Sequence, residues 1–450
     1  MFKPTRAALS SLQSLKRHVA PGVAKQSQDV ILNGKGTYIN TISGKRLLDF
    51  TSGIGVLCLG HAHPKVSGAA AAQCMKVVHA QTSSMHHEPQ LRLIEKLLPV
   101  MPDTSLDTFF FTTTGAEAVE AAMKLARQAT GRPNIIVMRG GYHGRSVGTV
   151  SLTTSKTIYS IGAHPLMPGV YPTAFPYWHQ FGASPTTATE ELVKKALFDL
   201  DLVLAQQTAP KDTAAILIEP VLGEGGYVPV PPAYLQALRE VCDKHGLLLI
   251  CDEVQSGFGR TGKYFALEHS GVRPDVMVMA KGIANGFPLS GIVSTSALMG
   301  KQPPGSMGGT YAGNAVATAA AIAVQEAFAE ENILSNVGSR STQLFGALEK
   351  LRKKPEVAPH ILDVRGEGLM VGVEFASPGG MVNDPLTKVD APKSLASRVS
   401  ARCLDKGMLL LTTSIFETVR FIPPLNVSEQ EMNEGCSIFA EAVEEVVKEG

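Results

Sequence analysis

The sequence predicts an α/β protein, with a mostly parallel sheet covered by helices on both faces and a smaller α+β unit after it. Three observations carry this. Five apolar runs in the middle of the chain are continuous rather than alternating, as expected of strands buried on both faces. Helical patterns lie between several of them, so strand and helix take turns. Beyond residue 334 the apolar runs change character and read as more solvent-exposed strands. The chain has 450 residues, 44% of them hydrophobic, enough for a large core. Its 43 glycines suit a fold with many tight turns and close backbone approaches.

The elements follow in order. "MFKPTRAALSSLQSLKRHVA" carries Lys3, Arg6, Lys16 and Arg17, and no acid precedes Asp29. Ala8, Leu9, Leu12, Leu15 and Val19 share a helical face. This is the composition of a mitochondrial transit segment and equally of a short basic docking helix. "GKGTYINTISGKRLLDFTSG" reads as a hairpin, and residues 1–64 are expected to pack with the smaller unit. Residues 65–334 are expected to form the large domain. Its strands are "TFFFTTTG", "NIIVMRGG", "AAILIEPV", "GLLLICDEV" and "DVMVMAKG". "GAEAVEAAMKLARQ" is a helix with Val119, Ala122, Met123 and Ala126 on one stripe. "PAYLQALREVCDKHG" is a helix running into the next strand by a short connection. A long helix is expected over 313–331. Residues 335–450 form the α+β unit, with strands in "ILDVRGEGLMVGVEF" and "GMLLLTTSIFETVRFIPPL" and a closing helix over 429–449.

Charge excludes some functions. Lys+Arg 41 nearly cancels Asp+Glu 40, so no polyanion-binding surface and no nucleic-acid partner are expected. No apolar run reaches about 18–20 residues, so no membrane span is expected. Cys58, Cys74, Cys242, Cys251, Cys403 and Cys436 form no CxxC pair and suit a reducing compartment. The cytoplasm is the expected location, with the mitochondrial matrix as the alternative. His61 and His63 in "GHAHP" lack a third ligand nearby, and no metal is expected.

Four strand ends carry chemistry, because ligands of such sheets sit beyond the carboxyl ends of the strands. "LLLICDEVQSG" ends on Asp252, with Val254 on the same face and Glu253 on the other. A carboxylate there needs a partner, either a local cap or ion pair or a protonated ring nitrogen. "FFTTTGAEAVE" sets Thr114 and Glu117 at capping-box spacing. It also leaves the N–H groups of Gly115 and Ala116 open to a phosphate. "RGGYHGRSVG" surrounds Tyr142, His143 and Arg145 with glycines. The aromatic ring suits stacking on a flat ligand and the guanidinium suits a carboxylate, or the segment is a plain loop. "DVMVMAKGIANGFPLSG" ends a buried strand on Lys281, followed by Gly282 and Gly286. Such a lysine either reaches solvent or is a desolvated amine fit to form a Schiff base. Taken together, the four ends match pyridoxal 5'-phosphate. Its aldehyde needs a lysine, its pyridine nitrogen an acid, its phosphate N–H donors and its ring a packing surface.

The chain also resembles the class III aminotransferases, a subgroup of fold-type I pyridoxal-phosphate enzymes. The resemblance runs from about residue 16 to the C-terminus. It rests on "GIGVLCLGHAHPKV", "TTTGAEAVEAAMKLAR", "GGYHGRS", "EPVLGEGG", "LLICDEVQSGFGRTG", "MAKGIANGFPLSG" and "GGTYAGNAVA". It implies a seven-stranded sheet in the large domain and a homodimer with shared sites. By matched position it implies that Lys281 is the Schiff-base lysine and Asp252 the partner of the pyridine nitrogen. Val254 and Tyr142 lie against the two ring faces, with His143 beside them. Gln255 approaches the ring hydroxyl, and Gly115 and Ala116 hold the phosphate. Thr310 reaches the phosphate in the partner subunit. On the substrate side it implies Ile54, Arg145, Glu219, Glu224 and Arg420. Arg145 holds the distal carboxylate of 4-aminobutyrate or a similar ω-amino donor. Glu224 and Arg420 form a switchable pair that opens for the α-carboxylate of 2-oxoglutarate or pyruvate. Leu222 stands where the family usually has glutamine. That departure points toward a broader amine:pyruvate ω-transaminase, and an ornithine or acetylornithine aminotransferase is the other alternative.

Overall fold

The computed structural model of the protein describes residue 12, residues 14–376 and residues 394–449. Most of the basic N-terminal stretch, including Ala8 and Leu9 of the expected helical face, lies outside the described residues. The strands begin with β1 (Ile31–Lys35), β2 (Tyr38–Thr41) and β3 (Arg46–Asp49). Then come β4 (Thr108–Thr112), β5 (Asn134–Met138), β6 (Val170–Thr173) and β7 (Thr213–Ile218). A short ribbon, β8 (Val221–Leu222) and β9 (Val228–Pro229), precedes β10 (Leu248–Asp252), β11 (Val276–Met279) and β12 (Ser290–Ser294). The last are β13 (Ile361–Glu367), β14 (Met370–Phe375), β15 (Met408–Leu409), β16 (Leu411–Thr413) and β17 (Thr418–Phe421).

Seven strands form the main sheet in the order β4-β12-β11-β10-β7-β5-β6. β12 runs antiparallel to both its neighbours. The other pairs, β11/β10, β10/β7, β7/β5 and β5/β6, are parallel. All five expected strands are present and the sheet is the seven-stranded, mostly parallel one. The continuous apolar runs explain why. Every residue of β7 and β11 is buried. At about 2 kcal/mol per buried aliphatic or Met side chain, the four of β11 outweigh the several kcal/mol that desolvating an amine at the strand's end costs. The helix Gly115–Thr130 lays Ala118, Val119, Ala122, Met123 and Ala126 against the sheet and stops at Gly131, whose φ of 69° is left-handed. β6 and β12 carry no clear sequence signal, since β6 contains Pro172 and β12 two serines and a glycine.

The C-terminal strands form a four-stranded antiparallel sheet, β13-β14-β17-β16. Here the structure corrects an expectation. β14 and β17 are wholly buried rather than solvent-exposed. They are the central strands, and the helix Glu429–Lys448 covers them by packing Phe439 on Phe421, with ring centroids 4.9 Å apart. Their charged residues are paired internally. Glu374 of β14 pairs with Arg365 of β13 and accepts from the Tyr177 hydroxyl at 2.8 Å.

The expected hairpin is β2–β3, with β1 added outside it. β15 then pairs in parallel with β3, so the N-terminal ribbon is completed by residues from near the other end of the chain. The boundary expected at 334/335 falls in the first turn of the helix Ile333–Arg352. Among the described residues no helix is long and apolar enough to cross a membrane.

Candidate active site

The carboxyl ends of β4, β5, β7, β10 and β11 open on one cavity of about 490 Å³. Each contributes what its last residues carry. β10 delivers Asp252, 4% exposed. Its Oδ2 lies 2.7 Å from His143 Nδ1, in the turn after β5, and its Oδ1 accepts from the Val254 N–H at 3.0 Å. Burial pushes the His143 imidazole down, but the hydrogen bond and charge of Asp252 outweigh it, and its pKa is raised. The strand alternation holds. Asp252 and Val254 line the cavity while Glu253 turns away, fully buried, to accept from the Ser256 hydroxyl and the Leu267 N–H.

β11 delivers Lys281 to the same cavity. Its φ of 48° lies in the left-handed region that a residue with a side chain seldom occupies. Strain of this kind persists where the surroundings over-determine it, and it concentrates at functional sites. Burial holds the amine down at about 8, with the Arg420 charge adding to the depression. Gly286 turns the chain further along the cavity wall. Its φ is 102°, and a Cβ there would meet Leu57 Cδ2 at 2.9 Å.

β4 leads into the helix at Gly115. The Thr114 capping box forms as its spacing predicts, with the Glu117 carboxylate accepting from the Thr113 and Thr114 N–H groups at 2.8 and 3.0 Å. The cap and an anion site coexist. The first-turn N–H groups at Gly115 and Ala116 have no helical acceptor, and both residues line the cavity. A Cβ on Gly115 would sit 3.2 Å from Val254 Cγ1, so glycine keeps this wall open.

The turn after β5 brings Tyr142 and Arg145 to the cavity, and the Arg145 Nε donates to the Tyr142 hydroxyl at 3.1 Å. β7 ends on Glu219, which accepts from the N–H groups of Tyr142 and Gly223 at 2.8 and 3.0 Å. Burial raises its carboxyl to about 7, against the pull of His143. Gln255 also lines the cavity, and its buried Oε1 has no hydrogen-bond partner.

The remaining pair crosses between sheets. Glu224, in the glycine-flanked loop of the β8–β9 ribbon, meets Arg420 of β17 with Oε1 to Nη1 at 2.5 Å. Burial alone raises the Glu224 carboxyl, but the Arg420 guanidinium beside it brings it down to about 2. Leu222 is fully buried against Gly140 and Gly225, outside the cavity lining. Ile54, Thr310 and Arg420 do not line the cavity, and Arg420 meets it only through Glu224. Ile54 is 37% exposed with φ 64°, and its neighbour Val56 lines the cavity instead. Thr310 is exposed in the loop before the helix Ala315–Glu330. His61 bonds Asp49 and His63 bonds Glu331. The Cys58 thiol donates to the Gly282 carbonyl at 3.1 Å, and burial pushes it up to about 12.

Sequence reasoning missed Tyr159 and Lys156. The Tyr159 hydroxyl donates to Glu224 Oε2 at 3.0 Å, and Lys156 Nζ stands 3.6 Å from the same oxygen. "SKTIYS" has no periodicity and no motif, so only proximity reveals them.

This arrangement fits pyridoxal 5'-phosphate. A buried carboxylate and a depressed amine face one cavity, two backbone N–H groups are open at a helix start, and an unpaired amide oxygen waits beside them.

Comparison with known proteins agrees. The profile of the aminotransferase class-III family matches residues 22–443. The 5-aminovalerate aminotransferase of Pseudomonas putida is 38% identical over 439 residues, 97% of this chain and 98% of that one. The 4-aminobutyrate aminotransferase of Escherichia coli is 39% identical over 406 residues, 90% and 91% of the two chains. Among solved structures, the taurine:2-oxoglutarate aminotransferase of Bifidobacterium kashiwanohense, in complex with pyridoxal phosphate and glutamate, superposes with a TM-score of 0.89. It is 27% identical and covers 100% of this chain and 99% of that one.

Proposed function

The chain belongs to the class-III aminotransferases, pyridoxal-phosphate enzymes of fold-type I, and from that premise we propose that it moves the amino group of 4-aminobutyrate or a close ω-amino acid to a 2-oxo acid. One observation carries the reading. Arg145 lines the cavity and Arg420 stands behind it, joined through the lining residue Glu224, and of these two guanidinium groups only Arg420 is neutralised by a carboxylate among the described residues.

An ω-amino donor has no carboxylate next to its amine, so a bare cation there would be uncompensated. Glu224 supplies the compensation while Arg145 takes the distant carboxylate. A 2-oxo acid brings its own α-carboxylate, and Arg420 then leaves Glu224 for a forked contact with it. Leu222 does not argue for a broader amine pocket, since it packs behind the loop and not in the cavity.

The remaining roles follow from chemistry. The cofactor, when bound, supplies an electron sink for the substrate carbon. Asp252, held by His143, keeps a proton on the ring nitrogen. Gly115 and Ala116 hold the phosphate through N–H donors. Val254 and Tyr142 would pack against the ring, and Gln255 would reach its hydroxyl. Lys281 Nζ, low in pKa and therefore able to be neutral, would take the proton from the donor's amine-bearing carbon and pass it to the cofactor, and would carry one back to the acceptor's carbonyl carbon in the second half-reaction. Glu219 anchors the Tyr142 backbone at the wall of the substrate space.

A homodimer is part of the proposal, with Thr310 of a second copy reaching the phosphate. Its support is the exposed apolar Tyr311, beside Thr310, with its ring against that of His79, next to exposed Val77 and Val78. A reducing compartment such as the cytoplasm is proposed from six free cysteines.

A substrate panel tests the reading. 4-Aminobutyrate, 5-aminovalerate, ornithine, N-acetylornithine and 1-phenylethylamine are each paired with 2-oxoglutarate and with pyruvate. The ω-amino acids with 2-oxoglutarate are expected to give the highest kcat/KM. Faster turnover of 1-phenylethylamine with pyruvate overturns the assignment.

A further inference from the structure

Resting on that reading, we propose that Tyr159 is the positioning residue that couples the donor clamp to the acceptor gate, with Lys156 as its assistant. The gate poses a problem that Arg420 alone does not solve. When Arg420 turns to an incoming α-carboxylate, Glu224 is left as a buried carboxylate, 9% exposed. An unpartnered charge there is costly, and the open gate would be rare.

The structure holds a second set of partners on the other oxygen. Arg420 uses Oε1 of Glu224. Tyr159 donates its hydroxyl to Oε2 at 3.0 Å, and Lys156 Nζ is 3.6 Å from Oε2. Neither depends on Arg420, so both persist when it leaves. Glu224 sits between Gly223 and Gly225, in a loop with backbone freedom to follow.

Tyr159 has a second contact. Its ring lies 4.7 Å from the Arg145 guanidinium carbon and meets the Tyr142 ring edge-on at 5.1 Å. One side chain therefore touches the cation proposed for the donor's carboxylate and, by its hydroxyl, the acid of the gate. The ring holds Arg145 in both half-reactions, and the hydroxyl matters most when the gate is open.

The hydroxyl and the ring separate in experiment. Tyr159→Phe keeps the stack on Arg145 and removes the bond to Glu224. In the holoenzyme, each half-reaction is followed separately by the cofactor's absorbance, and glutarate, a dicarboxylate that cannot react, is titrated calorimetrically. For Tyr159→Phe we expect the 2-oxoglutarate KM and the glutarate Kd to rise together by about ten-fold, as for loss of one hydrogen bond to a charged group. The kcat/KM of the 4-aminobutyrate half-reaction is expected to stay within about two-fold, because Arg420 still neutralises Glu224 there. In a Glu224→Gln background the same change is expected to leave the glutarate Kd unmoved, since no charge remains to hold. Equal effects on donor and acceptor, or an undiminished effect in the Glu224→Gln background, overturn the coupling. Failure of the proposed substrates is distinguishable: the wild type would then not turn over ω-amino acids, whereas the glutarate cycle needs no turnover.

Discussion

Two buried pairs of a carboxylate and a nitrogen base stand on either side of the cavity, and they are built differently. His143 and Asp252 lie on turns of one sheet, after β5 and at the end of β10, 2.7 Å apart. Asp252 is also fixed by a backbone N–H, so side chain and main chain hold it together. Glu224 and Arg420 come from different sheets, and every partner of the Glu224 carboxylate is a side chain. A pair held within one sheet can serve as a fixed reference, suited to a cofactor that stays. A pair bridging two sheets through a glycine-flanked loop can open, suited to substrates that alternate.

The comparison breaks most visibly at Asp252. Asp252→Asn keeps the size and removes the charge. We expect turnover to fall by about 10²- to 10³-fold, as when a preorganised electrostatic partner is removed. The His143 pKa is expected to drop at the same time, because the hydrogen bond and the charge of Asp252 raise it most, with the Glu219 charge behind them. Steady-state kinetics and an NMR titration of the histidine ring check the two effects. An unchanged His143 titration would deny that the pair is coupled.

Glu224→Gln tests the movable side. Arg420 is then permanently free, so substrates with an α-carboxylate gain and ω-amino donors lose. The ratio of kcat/KM for glutamate to that for 4-aminobutyrate is expected to rise by about ten-fold, the worth of one charge-assisted contact. No change in this ratio would mean that the pair is structural only.

The smallest effect shows where the two sides meet. Lys281 is depressed to about 8 by burial first and by the Arg420 charge second. Only the neutral amine captures the cofactor's aldehyde, so the capture rate of the cofactor-free protein is expected to rise with pH, half-maximal near 8. Arg420→Met removes a positive neighbour and leaves the Glu224 charge. Both changes favour the ammonium form, so the half-point moves upward. Stopped-flow absorbance across pH 6–10 reads it, and a downward shift would contradict the electrostatic link.

How much of this was legible in the sequence follows the same division. The fixed side was legible because its signals are local. "LLLICDEV" ends an apolar run on an acid, "VMVMAKG" ends one on an amine, and "TTTGAE" is a helix start whatever else it binds. The capping box of Thr114 and Glu117 formed with the phosphate-ready N–H groups beside it, so those two readings were never rivals. The movable side was not legible from local pattern, since Glu224 and Arg420 are far apart in the chain and only the family resemblance joined them. Tyr159 and Lys156 had no signal at all. β14 and β17 were read as exposed because Glu374 and Arg420 interrupt their apolar pattern. Both charges are buried and paired, which the pattern of one strand cannot reveal. β12 escaped because serine and glycine fill a strand whose neighbours on both sides supply the bulk.

The parallel pairing of β3 with β15 has a consequence for how the protein is made. Leu48 of β3 waits for Met408, and Phe50 accepts from the Ile422 N–H at 3.1 Å. At roughly 5–20 residues per second on the ribosome, these partners emerge tens of seconds after the strand they complete. Until then β3 is an open sheet edge, able to pair with another nascent chain. The first strands synthesised are therefore among the last to close, and release of an unfinished chain leaves that edge unprotected.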